Sequence, residues 1–250
     1  MGITTYSKFE MFKEDILLLP HPFHDNDILT DRFLLEKAVE KDIFIYYAPV
    51  EYLNENATVL IVGITPGFRQ MKKAYSAVLS VNTHLMDSER ILHQAKVMSS
   101  YEGPMRINLI KMLNELDLPK FLGISSSDDL FGSANHLIHT TGLLPYPVFY
   151  KGKNFTGSTP NILKTEVLRK YVMNCFVNDV ARLNNPLIIP LGVNVAKVLH
   201  HLSNLKLLPP AHILFGFPHP SGANGHRHKQ FSKNKQKMKL DIMNYFRQCK

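Results

Sequence analysis

The sequence predicts an α/β protein, a three-layer α/β/α sandwich built around a central, mainly parallel, four-stranded sheet. Short apolar runs alternate along the chain with longer segments of helical periodicity, which is the pattern of strands joined by crossover helices. The apolar runs are nearly continuous, as expected of strands that are buried on both faces. The composition agrees, because 45% of the 250 residues are hydrophobic and 20% are charged, as in ordinary globular proteins.

The elements are predicted in chain order from these patterns. Residues 1–50 are expected to form a helical extension, since Phe33, Leu34 and Ala38 follow helical spacing. Four strands are predicted, at Thr58–Val62, within His136–Phe149, at Leu187–Leu191 and at His212–Phe217. The clearest helices are predicted at Ser88–Ser99, Pro104–Leu116, Leu163–Leu183 and Val193–Leu202. A last, basic helix is expected within residues 226–250, from about Arg227 to Phe246, and we expect residues 1–250 to form one domain.

The composition excludes several classes of protein. Cys175 and Cys249 are too few to build a disulfide framework, so a reducing, cytoplasmic location is expected. No run approaches the ~20 apolar residues of a membrane span. Met1–Glu14 lacks the apolar core and cleavage site of a signal peptide. We therefore expect a soluble protein without membrane attachment, and we also expect it to be a monomer.

Positive charge is concentrated at the C-terminal end. Of the net charge of +8, residues 219–250 supply +7 from eight Lys or Arg and one Asp. Residues 1–218 supply +1, from 21 basic and 20 acidic side chains. A neutral body with one basic end favours a polyanionic partner bound at that end, although a solvated helix face would give the same pattern.

Two loops follow predicted strands at the edge where parallel sheets bind ligands. One is Gly63-Ile64-Thr65-Pro66-Gly67 and the other begins His219-Pro220-Ser221-Gly222-Ala223-Asn224. Either loop alone is typical of a simple turn. Because the carboxyl ends of parallel strands meet at one edge, we expect the two loops to converge on one pocket.

These loops carry a family resemblance. The sequence GITPG at Gly63–Gly67 resembles the first motif of the uracil-DNA glycosylase superfamily, and HPSGAN at His219–Asn224 resembles the second. A bacterial group of this superfamily, mostly uncharacterised, shares both forms and three further segments, which match Gly103–Arg106, Tyr146–Phe149 and Gly152–Asn154. The chain is identified on these motifs as a member of the superfamily.

The resemblance implies a monofunctional DNA-base glycosylase. Such a hydrolase flips a deaminated base such as uracil out of the DNA and cleaves its N-glycosidic bond, as in base-excision repair. The matching residue His219 would stabilise the departing base anion. Thr65 would help to position water, but it stands where active members usually carry Asp or Asn. A hydroxyl is a poor base at neutral pH and brings no negative charge.

The base itself would be bound by residues near the first motif, among them Ile64 and Pro66. The resemblance implies an aromatic side chain that stacks on the base, for which Phe68 and Tyr75 are the candidates; a core position is the alternative for both. Asn154 would read the Watson–Crick edge, because an amide donates and accepts at once. A turn-forming role for Asn154 stays equally open.

The DNA strand would be held mainly by the second motif. Ser221 would contact a phosphate, and Gly222, Ala223 and Asn224 would form the tip that enters the DNA. Because Ala223 is small, single-stranded or mismatched DNA is the expected partner. Further phosphate contacts are expected from four basic residues, Arg227, Lys229, Lys151 and Lys153.

No metal or cofactor is expected. The close pairs among the twelve histidines lack partner ligands at metal spacing, and two cysteines cannot hold a four-cysteine iron–sulfur cluster. Two other functions stay open. One is a nucleic-acid-binding protein of the same fold with weak or no turnover, and the other is an enzyme that acts on free nucleosides or nucleotides.

Overall fold

The structure, a computed structural model, describes residues 6–81 and 86–248. The chain divides into two compact units that are interleaved along the sequence. The first unit consists of Met1–Leu53, Thr65–Ser100 and Leu144–Thr156. The second unit consists of Asn54–Ile64, Tyr101–Leu143 and Gly157–Lys250. That residues 1–250 form a single domain stays a prediction.

The elements are labelled here in chain order. The strands are β1 (Leu34–Ala38), β2 (Ile43–Tyr46), β3 (Val59–Gly63), β4 (Ile138–Gly142), β5 (Val148–Tyr150), β6 (Lys153–Asn154) and β7 (Leu187–Pro190). The α-helices are α1 (Ser7–Leu17), α2 (Asp25–Ile28), α3 (Phe68–Ser80), α4 (Ser88–Met98), α5 (Gly103–Glu115), α6 (Leu118–Leu122), α7 (Glu166–Tyr171), α8 (Val177–Ala181), α9 (Val193–Asn204) and α10 (Arg227–Gln248). Short 3₁₀ turns occupy Asp31–Phe33, Val39–Lys41, Asp129–Phe131, Asn135–Leu137 and Pro210–His212, and Val172–Phe176 is π-helical.

The first unit contains an antiparallel sheet with the strand order β1-β2-β5-β6. The helix predicted around residues 33–41 is wrong, because this segment forms β1 and the turn into β2. Asp42 makes that turn with a left-handed φ of 49°, and the buried Ile43 and Ile45 of β2 alternate with half-buried residues. Period-two burial therefore overrides the helical spacing of the preceding residues.

The second unit contains a parallel sheet with the order β4-β3-β7. A mixed α/β fold is confirmed, whereas the predicted four-stranded, mainly parallel central sheet is not. The strand expected at His212–Phe217 is reduced to one parallel bridge, between Ile188 and Ile213. The turn at Pro210–His212 and the left-handed Gly216, with φ 96°, leave too few extended residues for a strand. Three-layer packing stays a prediction.

Strand β3 is buried on both faces. Val59 and Ile61 share an apolar cluster with side chains of α5 and α10, among them Leu113 and Ile242. The intervening Leu60 is also fully buried, so the nearly continuous apolar run of β3 reflects burial on both faces. Full burial of each such side chain is worth about 1.5–3 kcal/mol.

The remaining predicted helices are found with small shifts in their ends. The predictions at Ser88–Ser99, Pro104–Leu116 and Val193–Leu202 correspond to α4, α5 and α9, and the C-terminal prediction corresponds to α10. The helix predicted over Leu163–Leu183 begins only at Glu166 and includes the π-helical turn. None of the helices within residues 6–81 and 86–248 has the length and apolar character that a bilayer crossing requires.

Candidate functional site

The His219 loop of the second unit is tied down on two sides by side chains. Asn108 of α5 donates to the Pro220 carbonyl at 2.9 Å. Arg227, the first residue of α10, donates to the Ser221 carbonyl at 2.8 Å. These bonds occupy backbone acceptors that a loop would otherwise leave to water, so the loop has a defined conformation between two helices.

The sheet edge below the loop requires a glycine. Gly192 follows Leu191, the first residue after β7. It adopts a left-handed φ of 90°. Its backbone N–H donates to the Phe217 carbonyl at 3.1 Å. A Cβ atom at position 192 would lie 2.9 Å from the Cβ of His219, a distance that is too short for two carbons. His219 therefore packs directly against the carboxyl end of the parallel sheet.

Two properties of the His219 ring define what it can do. Its Nδ1 atom accepts a hydrogen bond from the Ser221 backbone N–H at 3.2 Å, so the proton of the neutral ring is on Nε2. Burial lowers the pKa of His219 from its ordinary value of 6.5. The ring is thus a neutral donor at pH 7, through Nε2–H.

The end of β3 is the next feature of this edge. Gly63 closes the strand, and the backbone N–H of Leu143, just after β4, donates to its carbonyl. The Tyr101 hydroxyl lies over Gly63, because a Cβ at position 63 would be 3.1 Å from it. The Ile64 side chain packs against Gly157, because a Cβ atom at position 157 would lie 2.7 Å from Ile64 Cδ1. Tyr101 was not predicted as a site residue, and no motif in the sequence marks it.

Thr65 directly follows Ile64 and belongs to the first unit. Its hydroxyl donates to the Tyr146 carbonyl at 2.7 Å and accepts from the Val148 backbone N–H at 3.1 Å. Both bonds fasten the GITPG segment to the start of β5. Pro66 follows, half-buried. The Thr65 oxygen thus keeps one lone pair for any other partner.

The structure brings Phe68 and Asn154 together in the first unit. The Asn154 side-chain oxygen accepts from the Phe68 backbone N–H at 3.0 Å, which caps the start of α3. The Phe68 ring contacts Phe149 of β5 edge-on, at 6.0 Å between centroids. Asn154 is exposed, and base reading by its amide group stays a prediction.

Tyr75 is placed in the core of the first unit instead of in a binding site. It is fully buried, its hydroxyl donates to the Tyr47 carbonyl at 3.0 Å, and its ring contacts Phe33. Lys151 and Lys153 are exposed at the β5–β6 hairpin. Lys151 and Gly152 have positive φ angles of 50° and 70°, as the central residues of a tight hairpin turn require.

The residues predicted to contact DNA in the second motif differ in exposure. Gly222 and Ala223 are exposed at the loop tip, and the Ser221 hydroxyl accepts from the Ala223 backbone N–H at 3.2 Å. Asn224 is turned inward, since its amide donates to the His219 carbonyl at 3.1 Å and to Gln230. Within the HPSGAN segment, the exposed tip therefore consists of two small residues, Gly222 and Ala223.

The basic side chains of α10 fall into two groups. Lys235 and Lys239 pair with Glu115 and Asp117, and Lys237 pairs with Asp241 of the same helix. Lys229 and Lys233 are exposed, lie one turn apart, and form no ion pair with any residue the structure describes. The unpaired positive charge next to the His219 loop is thus smaller than the net charge of +7 in residues 219–250 suggested.

Glu51 of the first unit is a second residue without a sequence motif. Its carboxylate accepts from the Tyr146 hydroxyl at 3.0 Å and from the Phe9 backbone N–H at 3.3 Å. Burial raises the pKa of Glu51 from 4.5 to about 6, although these two hydrogen bonds and Lys8 lower it. The signal in the sequence is a lone carboxylate between the apolar residues Val50 and Tyr52.

The side chains that could bind a metal are dispersed. Within the described ranges, His, Cys, Asp and Glu side chains do not gather in groups of three or more that would hold a metal ion. Cys175 is half-buried and forms no disulfide with a residue that the structure describes, and Cys249 lies outside the described residues.

The fold and this edge define a class, a mixed α/β protein with a histidine loop at the carboxyl end of a parallel sheet. No family model matches the chain. The chain is 40% identical over 245 residues to the uncharacterized protein YoxB of Bacillus subtilis (strain 168), which covers 97% of this chain and 95% of the relative. The chain therefore belongs to the same family as YoxB.

One solved structure is also similar to the chain, the crystal structure of wild-type Pedobacter heparinus SMUG2. It is 15% identical, the match covers 78% of this chain and 76% of that chain, and the TM-score is 0.38.

Proposed function

We propose that the chain is a DNA-base glycosylase of the uracil-DNA glycosylase superfamily, a hydrolase that removes a deaminated base from DNA. One observation carries this proposal. His219 presents a neutral Nε2–H donor at the carboxyl edge of the sheet, in the loop that resembles the second motif of the superfamily. Neither the loop nor the tautomer alone would support it as strongly.

The chemistry needs a donor of this kind. When the N-glycosidic bond breaks, its electron pair leaves with the base, and negative charge develops on a base oxygen. The Nε2–H of His219 would donate to that oxygen. A fixed donor directed at developing charge in a water-poor site is worth about 2.7–4 kcal/mol. Water then adds to C1′ of the sugar and loses a proton.

The surroundings of His219 support DNA as the partner. The exposed Lys229 and Lys233 of α10 directly follow the loop, and lysines at such positions neutralise phosphates. The accessible loop tip is Gly222-Ala223, which has no bulky group to replace a flipped base in the stack. Single-stranded or mismatched DNA, in which unstacking is cheap, is therefore the proposed substrate.

A second candidate function is nucleic-acid binding without turnover. The observation that favours it is Thr65, whose hydroxyl is bonded to Tyr146 and Val148 and which carries no charge to activate water. Thr65 is proposed to act in hydrolysis and Asn154 in base reading, and each role is tested by substituting that residue. A Thr65→Asn variant that gains base release would indicate an active ancestor.

The test is a base-release assay. End-labelled oligonucleotides, single-stranded and mismatched, carry uracil, hypoxanthine or xanthine and are treated with alkali after incubation with the protein. We expect strand breaks with at least one base, and about a 100- to 1,000-fold slower reaction for His219→Ala. His200→Ala, which removes an exposed histidine of α9, is the matched control and should react normally.

Two outcomes would contradict the proposal. If no base is released from any substrate, catalysis of this kind is excluded, and salt-sensitive binding of the same oligonucleotides would then support the second function. If His219→Ala reacts as fast as the unmodified protein, the role assigned to His219 is wrong.

A further inference from the structure

Ile107 of α5 is a large apolar side chain that the protein leaves exposed. It is 65% exposed, whereas Leu109, Met112 and Leu113 of the same helix are buried in the core cluster. At 100° per residue, Ile107 lies on the opposite side of the helix from these three residues. A single exposed apolar residue is common on protein surfaces, so its meaning depends on what lies next to it.

The first two turns of α5 pack against the His219 loop. A Cβ atom at Gly222 of the loop tip would be in ordinary contact with the Cβ of Pro104, at 3.8 Å. One turn further along α5, Asn108 donates to a carbonyl of the loop at 2.9 Å. Ile107 directly precedes Asn108 and lies one turn after Pro104, so it is placed beside the loop tip.

Helix geometry directs Ile107 toward the start of α5. Side chains of a helix lean toward its N-terminus and cover the preceding turn, which here begins with Gly103. A Cβ atom at position 103 would meet no atom of the described residues within 4 Å. The space into which Ile107 leans is therefore open to a partner.

The exposed side of α5 is also basic. Lys111 follows Ile107 by one turn, is exposed, and forms no ion pair with any residue that the structure describes. The one acidic residue of α5 is Glu115, which lies at its far end and pairs with Lys235. A cation beside an apolar side chain suits a partner that has both phosphates and flat apolar faces. Among macromolecules, nucleic acid has both.

We propose that Ile107 enters the base stack of a mismatched duplex and occupies the space that the extracted nucleotide leaves. This inference rests on the proposed function and adds to it a residue outside both motifs. Apolar side chains such as Ile can be inserted between base pairs, which they unstack. The tip of the His219 loop is too small for this role, and α5 places the missing bulk beside it. Ile107 should therefore matter for a duplex and not for a single strand, in which no stack has to be opened.

The test uses the full chain and three substitutions. Ile107→Ala removes the bulk, and Ile107→Leu keeps it. Leu205→Ala is the matched control, because Leu205 is 51% exposed and follows the last residue of α9, about 18 Å along that helix from the sheet edge. For each protein, kcat/KM is measured for release of the same damaged base from a single strand and from a mismatched duplex.

The two substrates should respond differently. We expect Ile107→Ala to lose about 10-fold in kcat/KM on the mismatched duplex, because the buried apolar surface is lost, and to react normally on the single strand. Ile107→Leu and Leu205→Ala should react normally on both. An unchanged duplex reaction in Ile107→Ala, or an equal loss on both substrates, would overturn the inference. So would an Ile107→Ala variant that only changes the oligomeric state, since the side chain would then serve a contact between copies.

The inference and the proposed function can fail separately. If the unmodified protein releases no base, the proposed function fails. The inference is then decided by the fluorescence of 2-aminopurine placed next to the mismatch, which rises when the neighbouring bases unstack. A rise on binding of the unmodified protein that is lost in Ile107→Ala and kept in Leu205→Ala supports the inference. No rise with the unmodified protein, or the same rise in Ile107→Ala, overturns it.

Discussion

At the scale of single residues, Ser221 and Gly192 set the chemistry that is available to the His219 ring. The Ser221 N–H occupies Nδ1, so a second proton on the ring would place two donors face to face and weaken the loop. Gly192 has no side chain and therefore lets the His219 backbone approach the sheet. The HPSGAN motif identifies the histidine, whereas Gly192 becomes recognisable only when the strand ends are seen side by side.

Polar atoms near the first motif are used within the protein. The Thr65 hydroxyl fastens its loop to β5, and the Asn154 oxygen caps α3. Both residue types suit ligand binding and loop construction equally, so the sequence alone could not distinguish the two uses. Burial is also invisible in a motif, which is why Tyr75 was a candidate for base stacking although it lies in the core.

Glu51 makes a prediction about pH. Its pKa is about 6 in the folded protein and 4.5 in the reference state, so the folded state holds the proton more tightly. The resulting stabilisation is present below pH 4.5 and is lost as the pH rises through about 6. The loss amounts to at most about 2 kcal/mol in the free energy of unfolding.

We therefore expect Glu51→Gln to remove this decline, since the amide has no charge to bury. The measurement is urea unfolding of both proteins between pH 4 and pH 8. The difference in free energy of unfolding should move in favour of the variant over this range. A difference that does not vary with pH would show that Glu51 titrates normally.

At the scale of elements, α10 has one buried face and one exposed, basic face. Phe231, Met238, Ile242 and Tyr245 are buried, and they recur at the spacing of one helical face. On another face, Lys229 and Lys233 stand one turn apart and are exposed. Between these faces, Lys235 and Lys239 pair with acidic residues at the end of α5 and beyond it.

These groups of lysines should separate in experiment. We expect the double variant Lys229→Gln/Lys233→Gln to bind single-stranded DNA more weakly and to lower the salt slope of binding by about 0.7 for each lost phosphate contact. Its thermal stability should not change. The control Lys235→Gln/Lys239→Gln should lose about 0–1 kcal/mol of stability per pair and keep the salt slope. Equal slopes in all proteins would mean that phosphates bind elsewhere.

How well an element could be predicted depended on its periodicity. Helices α4, α5, α9 and α10 follow clear apolar spacing, and the buried runs of β3 and β7 are continuous. The hairpin of β1 and β2 was missed because apolar residues cluster at Phe33–Leu34, a spacing that fits a helix as well as a strand. The segment after Pro210 was predicted too long, because the left-handed Gly216 ends it early.

At the scale of the whole molecule, the two units are each built from three separated segments. The GITPG segment crosses from one unit to the other between Ile64 and Thr65, and the sequence has no linker there that would mark a boundary. Such an organisation depends on contacts between distant segments, which no local pattern reports. The concentration of positive charge at the C-terminal end, by contrast, could be found by counting charged residues. Ion pairs of α10 with Glu115 and Asp117 neutralise part of that charge.

The basic end of the chain also serves as part of the core, which makes a last prediction. A detachable DNA-binding arm could be removed without unfolding the rest, but α10 buries four large side chains in the same cluster as β3. Removal of residues 227–250 should therefore abolish cooperative unfolding, since each buried side chain contributes about 1.5–3 kcal/mol and whole domains are stable by only about 5–15 kcal/mol. The control is the full chain with Lys229, Lys233 and Arg247 replaced by Gln, which should fold normally, as judged by circular dichroism during heating. A truncated chain that unfolds as sharply as the control would show that the rest of the chain folds without α10. The helix would then contribute its charge but would not be needed for the core.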